Sequence, residues 1–510
     1  MATDRARGAP LPGGVATLLA VAVAASLSRL PLLTSIEQDL DGSRFVRAVM
    51  RFDLAYAHPH APGYPVYVGL ARAIDSLFMH APARSLSLVG AMAFGLLAAV
   101  TFAIGRLLVS RAAAIAATVV LFGSTTVVVH ATRPLSDMLG AALGWSVVAC
   151  GIAALLEVGR EGRAGALGVV LFALLCGTRV SNVPLALPAL IVCARACLRA
   201  RVAGRAAVLG LVATAAWLVP LLWVARPSNL YVASLAQARG HFHEPGITSF
   251  ASTGATGRAS AVATGLWTHV LGGYAPDRPR PLIVWSTAIV ALGVFGLVAT
   301  WRSTSAQHES TASRRNAWAC LAACALAQFA WVAVAQNVVW QPRHLMPLAP
   351  ALALVPALGV SAIAAGAASA GRVAHRVGLY ALLALASIAL VPGVQDAHRL
   401  ARLQATLPPP AVRIADYVRT RLPAEGTVVL SSQLAAWIRF RAADHRVFAV
   451  RDAAAAREIA RRTGLRIFVT SETPGIVALR SAVQERARVV ADRYVTTTMY
   501  DLALLEIMTP

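Results

Sequence analysis

The sequence contains no lysine and few charges of either sign. All 46 basic residues are arginine, 23 residues are Asp or Glu, and charged residues make up 14% of the 510. A soluble protein of this length carries nearer a quarter charged residues. The arginines lie mostly in short breaks between apolar runs, as in membrane proteins, and are not clustered on a polar face as in nucleic-acid-binding proteins. The net charge of +23 therefore does not indicate a nucleic-acid partner.

Cysteine is also scarce. The six cysteines all lie within apolar runs, at Cys150, Cys176, Cys193, Cys197, Cys320 and Cys324. Two pairs have the i,i+4 spacing of metal ligands on a helix, but no His or carboxylate lies within a turn of them. Small thiols buried in a helical core explain them better. Residues 394–510 contain no cysteine, so no disulfide framework is expected there.

Apolar residues are abundant, at 57% of the chain and a mean hydropathy of +0.65. Stretches of about 18 or more such residues with almost no charge each predict a membrane-spanning helix. The predicted fold class is an α-helical polytopic membrane protein with a small C-terminal α/β domain. About eleven transmembrane helices are expected, at residues 11–34, 85–108, 112–131, 137–157, 164–177, 182–198, 206–225, 281–301, 317–337, 345–368 and 378–393.

The distribution of arginine predicts the orientation of these helices. The first apolar run follows Arg5 and Arg7 and has no clear cleavage site before Glu37, which indicates an uncleaved first span with a cytoplasmic N-terminus. The short breaks on that side then hold fifteen arginines, and those on the other side hold three. This asymmetry predicts a multi-pass protein of the bacterial inner (plasma) membrane, with a periplasmic or extracytoplasmic C-terminal domain.

Two domains are expected. Residues 1–393 form the transmembrane domain, including a first outer loop at 35–84 and a second at 226–280, and residues 394–510 form the soluble domain. Two moderately apolar stretches of the first outer loop, 43–54 and 64–79, predict interfacial helices. In the soluble domain, strand patterns alternate with helical ones, which indicates an α/β fold. The strands are expected at 427–430, 447–450, 466–470 and 502–507, and the helices at 435–442, 453–462 and 477–488.

The acidic residues that follow the first span are the leading candidates for chemistry. Glu37, Asp39 and Asp41 lie within five positions, where the chain leaves the predicted bilayer. Three carboxylates so close repel one another, so at least one is expected to have a raised pKa or to bind a cation. A partly desolvated carboxylate suits a general base that takes a proton from a hydroxyl. The alternative is a solvated loop without a catalytic role.

A proline-rich run follows in the same loop. Prolines at 59, 62 and 65 predict a stiff, extended turn that holds His58, His60 and Tyr64. The two histidines could bind a metal or a phosphate, although a turn with solvent-facing histidines is the simpler interpretation.

Three further breaks each place an arginine at the boundary of a span. Arg133 precedes Asp137, Arg179 follows a Gly-Thr pair, and Arg343 precedes His344. Ionisable groups at membrane depth usually face the bundle interior or a water-filled cavity. Arginine suits a lipid-linked phosphate because its planar guanidinium binds two oxygens at once. Snorkelling to nearby headgroups is the alternative. Three arginines on the same side as the acidic residues favour a functional role.

These motifs resemble a known superfamily. The pattern Asp41-Gly-Ser-Arg-Phe, then Asp53, then His58-Pro-His-Ala-Pro-Gly-Tyr-Pro-Val-Tyr is similar to the first outer loop of bacterial GT-C glycosyltransferase-like proteins. These are relatives of protein O-mannosyltransferases and aminoarabinose transferases. The breaks at 133–137, 177–179 and 342–347 are similar to that superfamily as well, so the resemblance covers about residues 11–368. Many relatives have adjacent Asp and Glu where this chain separates Asp39 and Asp41 by one residue.

The resemblance implies a GT-C-like transmembrane domain and an inverting transfer of a sugar outside the membrane. The donor would be a polyprenyl-phosphate-linked sugar, and the acceptor a glycan, lipid or protein. Asp41, or next Asp39, would be the general base. The residues implied in substrate binding are Arg133, Asp137, Arg179, Arg343, His344, His58, His60 and Tyr64. No cofactor is certain, and dependence on a divalent cation is open.

A transporter or lipid flippase is the main alternative, and a catalytically inactive relative is another. A transporter is expected to carry ionisable residues near span midpoints and paired broken helices in two repeated halves. The sequence shows neither, because its charges gather at the span boundaries. A purely structural role would leave the acidic first loop unexplained.

Overall fold

The computed structural model describes residues 14–156, 159–243, 254–304, 312–339, 341–432, 434–495 and 501–508. Over these residues a bundle of apolar helices is followed by a five-stranded mixed sheet with its own helices. This is the predicted fold class. Residues 244–253 of the predicted second outer loop lie outside the described residues.

Nine helical segments of the described chain are long and apolar enough to cross a membrane. Two further predicted spans form shorter helices, α5 with 13 residues and α8 with 16. The helices of the bundle and its loops are α1 (Gly14–Leu27), α2 (Leu40–Met50), α3 (Pro65–Ile74), α4 (Pro82–Leu108), α5 (Arg111–Gly123), α6 (Thr125–His130), α7 (Asp137–Leu156), α8 (Glu161–Cys176), α9 (Val183–Arg199), α10 (Ala203–Ala225), α11 (Pro227–His243), α12 (Gly254–Thr264), α13 (Leu282–Thr304), α14 (Ala312–Ala335), α15 (Ala349–Ser369) and α16 (Val373–Ala389).

The predicted span at 112–131 is interrupted. The helix α5 ends at Gly123, and Ser124 caps the short helix α6, its side chain accepting a hydrogen bond from the Val127 amide. A serine in extended conformation at a helix start satisfies an otherwise unpaired amide. The break therefore redirects the chain just before Arg133.

Glycines let the helices at the centre of the bundle approach closely. A Cβ atom added at Gly90 of α4 would lie 2.8 Å from the carbonyl oxygen of Ala131. One added at Gly140 of α7 would lie 2.8 Å from the Cβ of Arg179. Membrane helices that pack without a hydrophobic driving force use such small residues to bring backbones into contact. Both glycines lie beside segments that carry candidate site residues.

The two predicted helices of the first outer loop are present as α2 and α3. Asp39 is the N-cap of α2, and its side chain accepts a hydrogen bond from the Gly42 amide. Pro65 at the first position of α3 suits the fixed backbone of a helix start. Phe45 and Ala48 of α2 are buried where α2 packs against α3 and α4.

Beyond α16, two helices lead into the sheet. These are α17 (Val391–Thr406), which contains the predicted domain boundary at residue 394, and α18 (Pro410–Arg421). The sheet consists of β1 (Thr427–Ser431), β2 (Arg446–Ala449), β3 (Arg466–Thr470), β4 (Val483–Val490) and β5 (Asp501–Ile507), with α19 (Ala435–Arg441) and α20 (Ala453–Thr463).

The strand order is β2-β1-β3-β5-β4. β1 pairs in parallel with β2 and β3, and β5 pairs antiparallel with β3 and β4. All five residues of β1 are buried, as expected of a central parallel strand with helices on its faces. The four strands and the first two helices expected for this region are present with small differences at their ends.

The helix expected at 477–488 is wrong. A short 3₁₀ turn at Val477–Ala482 leads instead into β4. Gln, Glu, Arg and Ala of this segment are good helix formers, so their propensity favoured a helix. Pairing of β4 with β5 along the edge of the sheet overrides that preference.

Candidate active site

Asp39 and Asp41 meet Arg343, more than 300 residues away in the chain. Nη1 of Arg343 donates to Oδ2 of Asp39 at 2.8 Å, and Nη2 donates to Oδ2 of Asp41 at 2.5 Å. One guanidinium thus bridges two carboxylates, each through its own N–H group. Arginine is suited to such pairs because its donors form a rigid fork.

The two aspartates differ in their remaining contacts. Oδ1 of Asp39 accepts the Gly42 amide at 2.7 Å, so both of its oxygens are engaged. Oδ1 of Asp41 lies 3.4 Å from Nη1 of Arg44 and 3.9 Å from Nδ1 of His60. The Asp41 side chain is 23% exposed and that of Asp39 10%. Asp41 is the more accessible carboxylate of the pair.

The groups around Asp41 lower its pKa. Burial by itself would raise the pKa of Asp41, but His60, Arg343 and Arg44 together hold that pKa well below its ordinary value. Asp41 is therefore not the carboxylate with a raised pKa, and cation binding by one of the three carboxylates stays a prediction. The largest lowering effect comes from His60 of the same loop, and the next comes from Arg343 in a distant part of the chain.

Arg343 is buried at the start of a 3₁₀ segment, Pro342–Leu348, that leads into α15. The carbonyl of Pro347 in this segment accepts the indole N–H of Trp145 in α7 at 2.7 Å, which fixes the segment against the bundle. Nε of Arg343 is buried without a hydrogen-bond partner. It lies 3.8 Å from Oδ1 of Asp137.

A second ion pair lies beside the first. Nη2 of Arg179 is 2.9 Å from Oδ1 of Asp137, and Nη1 donates to Oγ of Ser136 at 3.0 Å. Oδ2 of Asp137 and Nδ2 of Asn182 are buried without partners. A small cleft is lined by these groups together with Arg343 and His344. Unpaired buried polar atoms are rare and call for an explanation such as a ligand site.

Arg133 extends the cluster on its other side. Its Nη1 lies 3.9 Å from Oδ2 of Asp39 and 3.2 Å from Nε2 of His130, and its Nε donates to Oε1 of Gln404 at 2.9 Å. The structure thus brings Arg133, Arg179 and Arg343 around three aspartates. All three arginines are less than 10% exposed, so their charges face protein groups, unlike those of snorkelling residues.

The proline-rich turn forms one wall of the cluster. The Tyr64 hydroxyl lies 2.7 Å from Nε2 of His60, whose Nδ1 faces Asp41. Burial lowers the pKa of His60 to about 4 and raises the pKa of Tyr64 to about 12, so both are neutral at pH 7. His58 is set apart, with Nε2 lying 3.3 Å from Nη1 of Arg47. The structure therefore places His60 and Tyr64, but not His58, beside Asp41.

Glu37 is not part of the charged cluster. Its Oε1 accepts hydrogen bonds from Trp437 and Arg441 of α19, in the C-terminal domain.

Gln404 is a residue that sequence reasoning missed. It is fully buried, and it contacts Arg133, Thr132 and Gln38. Nothing in the sequence distinguishes this glutamine from the other polar residues of the amphipathic helix after the last span.

The described residues contain no group of three or more His, Cys, Asp or Glu side chains placed to hold a metal ion. The two carboxylates Asp39 and Asp41 are both paired with Arg343. Dependence on a divalent cation stays open.

Over the described residues, nine apolar helices of spanning length and a C-terminal mixed sheet define the class of this protein, a polytopic membrane protein with a small C-terminal domain. In particular, it is similar to ArnT from Cupriavidus metallidurans bound to undecaprenyl phosphate, with 14% identity, a TM-score of 0.51, and coverage of 98% of this chain and 100% of that one. The apo state of the same ArnT matches with 15% identity, a TM-score of 0.50 and coverage of 98% and 99%.

The oligosaccharyltransferase of Archaeoglobus fulgidus in its apo form shares the fold as well. It is 13% identical, with a TM-score of 0.50, over 89% of this chain and 69% of that one. No family model matches the chain, and no curated protein matches it by sequence. At these identities the likeness concerns the fold, and the chemistry rests on the residues of this chain.

Proposed function

We propose that this protein is an integral membrane glycosyltransferase that moves a sugar from a polyprenyl-phosphate-linked donor to an extracytoplasmic acceptor with inversion. The observation that carries the proposal is the cluster in which Arg343 bridges Asp39 and Asp41 beside the Arg179–Asp137 pair. The fold around this cluster is similar to that of ArnT, whose structure was solved with bound undecaprenyl phosphate. This similarity supports a lipid-linked phosphate as the ligand.

The charge of the cluster supports an anionic donor. Four arginines (Arg44, Arg133, Arg179 and Arg343) face three aspartates (Asp39, Asp41 and Asp137), and the adjacent His60 is neutral at pH 7. The site therefore has a surplus positive charge. The buried, unpartnered Nε of Arg343 adds a free donor for a phosphate oxygen. Arg343, with Arg179 and Arg133, would hold the phosphate as negative charge develops on it.

Asp41 is the proposed base. Its Oδ1 has weaker contacts than either carboxylate oxygen of Asp39, which caps α2 through one oxygen and binds Arg343 through the other. In the reaction, the acceptor hydroxyl oxygen bonds to the anomeric carbon as the bond from that carbon to the phosphate oxygen breaks. The hydroxyl proton passes to Asp41, and the bonding electrons leave with the polyprenyl phosphate. When Arg343 turns toward the phosphate, Asp41 loses a paired charge and becomes a stronger base.

The experiment that tests this function compares a deletion strain with its parent by profiling glycans and lipid-linked sugars. We expect the loss of one glycan together with the build-up of one lipid-linked sugar. Wild-type protein should reverse both changes, and the Asp41→Asn variant at equal membrane levels should reverse neither. Identical profiles in parent and deletion strain would contradict the transferase and favour a transporter or an inactive relative.

A further inference from the structure

One helix of the C-terminal domain contacts the segment that carries both candidate carboxylates. In α19, Nε1 of Trp437 donates to Oε1 of Glu37 at 3.0 Å, and Nε of Arg441 donates to the same oxygen at 3.1 Å. Glu37 is 4% exposed and Trp437 3%. Hydrogen bonds to a buried charged group are stronger than those between neutral groups.

Two further contacts join the same elements. Ile36 packs against the hydrophobic core formed by α18, α19 and the sheet. The guanidinium of Arg47 in α2 lies over the ring of Phe440, 4.5 Å from its centroid. The segment from Ile36 to Arg47 is therefore held at both ends by the C-terminal domain, and Asp39 and Asp41 lie between these points.

We propose that Glu37 is a positioning residue, through which α19 of the C-terminal domain holds Asp41 in the geometry needed for proton transfer. Glu37 precedes Asp39 by two residues, and Asp39 starts the helix that bears Asp41. A displacement at Glu37 is therefore passed directly to α2. Misplacement of a reacting group by about 1 Å can cost on the order of 100-fold in rate.

This inference rests on the proposed function for its kinetic part only. Among the hydrogen bonds and ion pairs of the described residues, none joins Glu37 to Asp39, Asp41 or Arg343. Glu37 therefore acts on Asp41 through the backbone and not as a proton acceptor. The C-terminal domain then contributes to the active site, because its contact with Glu37 determines the position of Asp41.

The test uses the full-length protein with Glu37→Ala, Glu37→Gln and Trp437→Phe. Glu37→Gln keeps an oxygen for both donors, whereas Trp437→Phe keeps the ring and removes the N–H group. The control is Arg462→Ala, which removes an exposed charge from α20 of the same domain. Two readouts are taken. One is hydrogen exchange of the Gly42 and Ser43 amides, which bond to Asp39, and the other is kcat and KM for the lipid-linked sugar isolated from the deletion strain.

We expect Glu37→Ala to speed exchange at these amides and to lower kcat by roughly 10- to 100-fold with little change in KM. Trp437→Phe should give a smaller change in the same direction. Glu37→Gln should restore kcat to within about threefold of wild type, and Arg462→Ala should change neither readout.

Faster exchange with an unchanged kcat would overturn the positioning role, and unchanged exchange would overturn the contact itself. If Glu37→Ala does not fold, Trp437→Phe decides between the same outcomes. If wild-type protein transfers no sugar, the proposed function fails, but the exchange experiment still tests whether α19 holds this segment.

Discussion

At the scale of single residues, Arg343 is a direct partner of both candidate carboxylates. Its guanidinium binds Asp39 and Asp41 at the same time, and its contact with Asp41 contributes to the lowered pKa of that carboxyl. A carboxylate so paired is a weak base until its partner moves. Under the proposed function, a donor phosphate would compete for the same N–H groups, and its arrival would make Asp41 a stronger base.

We expect Asp41→Asn to lower turnover by about 10²–10⁴-fold, the usual contribution of a general base. Asn keeps the shape and one oxygen but cannot accept a proton. Asp39→Asn should be milder, because an Asn can still cap α2. Both variants are compared for transfer from a lipid-linked donor at matched membrane levels. If Asp39→Asn is inactive while Asp41→Asn keeps nearly normal turnover, Asp39 is the base and the two roles are exchanged. If both variants are active, the glycosyltransferase interpretation of this loop is contradicted.

Replacement of Arg343 tests the geometry of its pairs. Arg343→Lys should be nearly as damaging to transfer as Arg343→Ala, because an ammonium cannot bridge two carboxylates and a phosphate with directed donors. Removal of one partner from a buried ion pair also destabilises the fold, by about 3–5 kcal/mol. Activity is therefore measured beside Tm for both variants. Full activity of the Lys variant would show that Arg343 supplies only a positive charge and that the geometry of its guanidinium is not required.

His60 gives a prediction about pH. Its pKa in the folded protein is about 4, below the ordinary 6.5, because burial disfavours the charged ring. Between these pH values the unfolded chain binds a proton that the folded chain does not, so this group makes stability rise as pH increases from 4 to 6.5. We expect the gain in Tm between pH 5 and pH 7 to be smaller in His60→Gln than in wild type. The exposed His80→Gln is the control, and equal gains in all three proteins would contradict the burial of His60.

At the scale of elements, the site depends on close packing between α7 and the turn that carries Arg179. A Cβ at Gly140 would lie 2.8 Å from the Cβ of Arg179 and 2.9 Å from Nδ2 of Asn182. The absence of a side chain at Gly140 thus allows Arg179 to reach Asp137. This is a tertiary requirement, since Gly in a helix interior is otherwise unfavourable.

We therefore expect Gly140→Ala to destabilise the protein by about 1–3 kcal/mol, the usual cost of overpacking, and to reduce transfer by displacing Arg179. Gly69→Ala is the matched control in α3, where an added Cβ meets nothing within 4 Å. That change should be neutral or stabilising by up to about 1 kcal/mol. Tm and transfer rate are measured for both, and equal effects would show that the space at Gly140 is not limiting.

At the scale of the whole molecule, the C-terminal domain is joined to both outer loops. It holds the first through Glu37, and Arg493 and Tyr494 bind Asp277 of the second at 2.7 and 3.0 Å. Arg278 of the second loop forms a buried ion pair with Asp396 of α17. Both loops, the candidate site and the domain therefore lie at one end of the bundle.

The orientation of that end is a prediction from the asymmetry of arginine. Alkaline phosphatase, which is active only outside the cytoplasm, is fused at Thr427 and separately at Ser303. We expect activity from the fusion at Thr427 and none from that at Ser303. The reverse result would place the site on the cytoplasmic side and remove the basis for an extracytoplasmic acceptor.

The sequence by itself determined the class of the protein and most of its elements. Long apolar runs have few alternatives to spanning helices, because a backbone in lipid must satisfy its own hydrogen bonds. The strands β1, β2, β3 and β5 could be predicted from short apolar runs that alternate with helical segments. Asp39, Asp41, Arg133, Arg179 and Arg343 could be selected as candidates, because charges next to apolar spans are few.

Only the tertiary structure decided how these residues combine. The partners Arg343 and Asp41 are 302 residues apart, and Trp437 and Glu37 are 400 apart, so no local pattern relates them. The role of Glu37 follows from its distant pairing with Trp437, the lowered pKa of Asp41 follows from His60 together with Arg343, and β4 follows from its pairing with β5. Local propensity acts over a few residues, whereas charge pairing and strand pairing depend on which segments the packed bundle and sheet bring together.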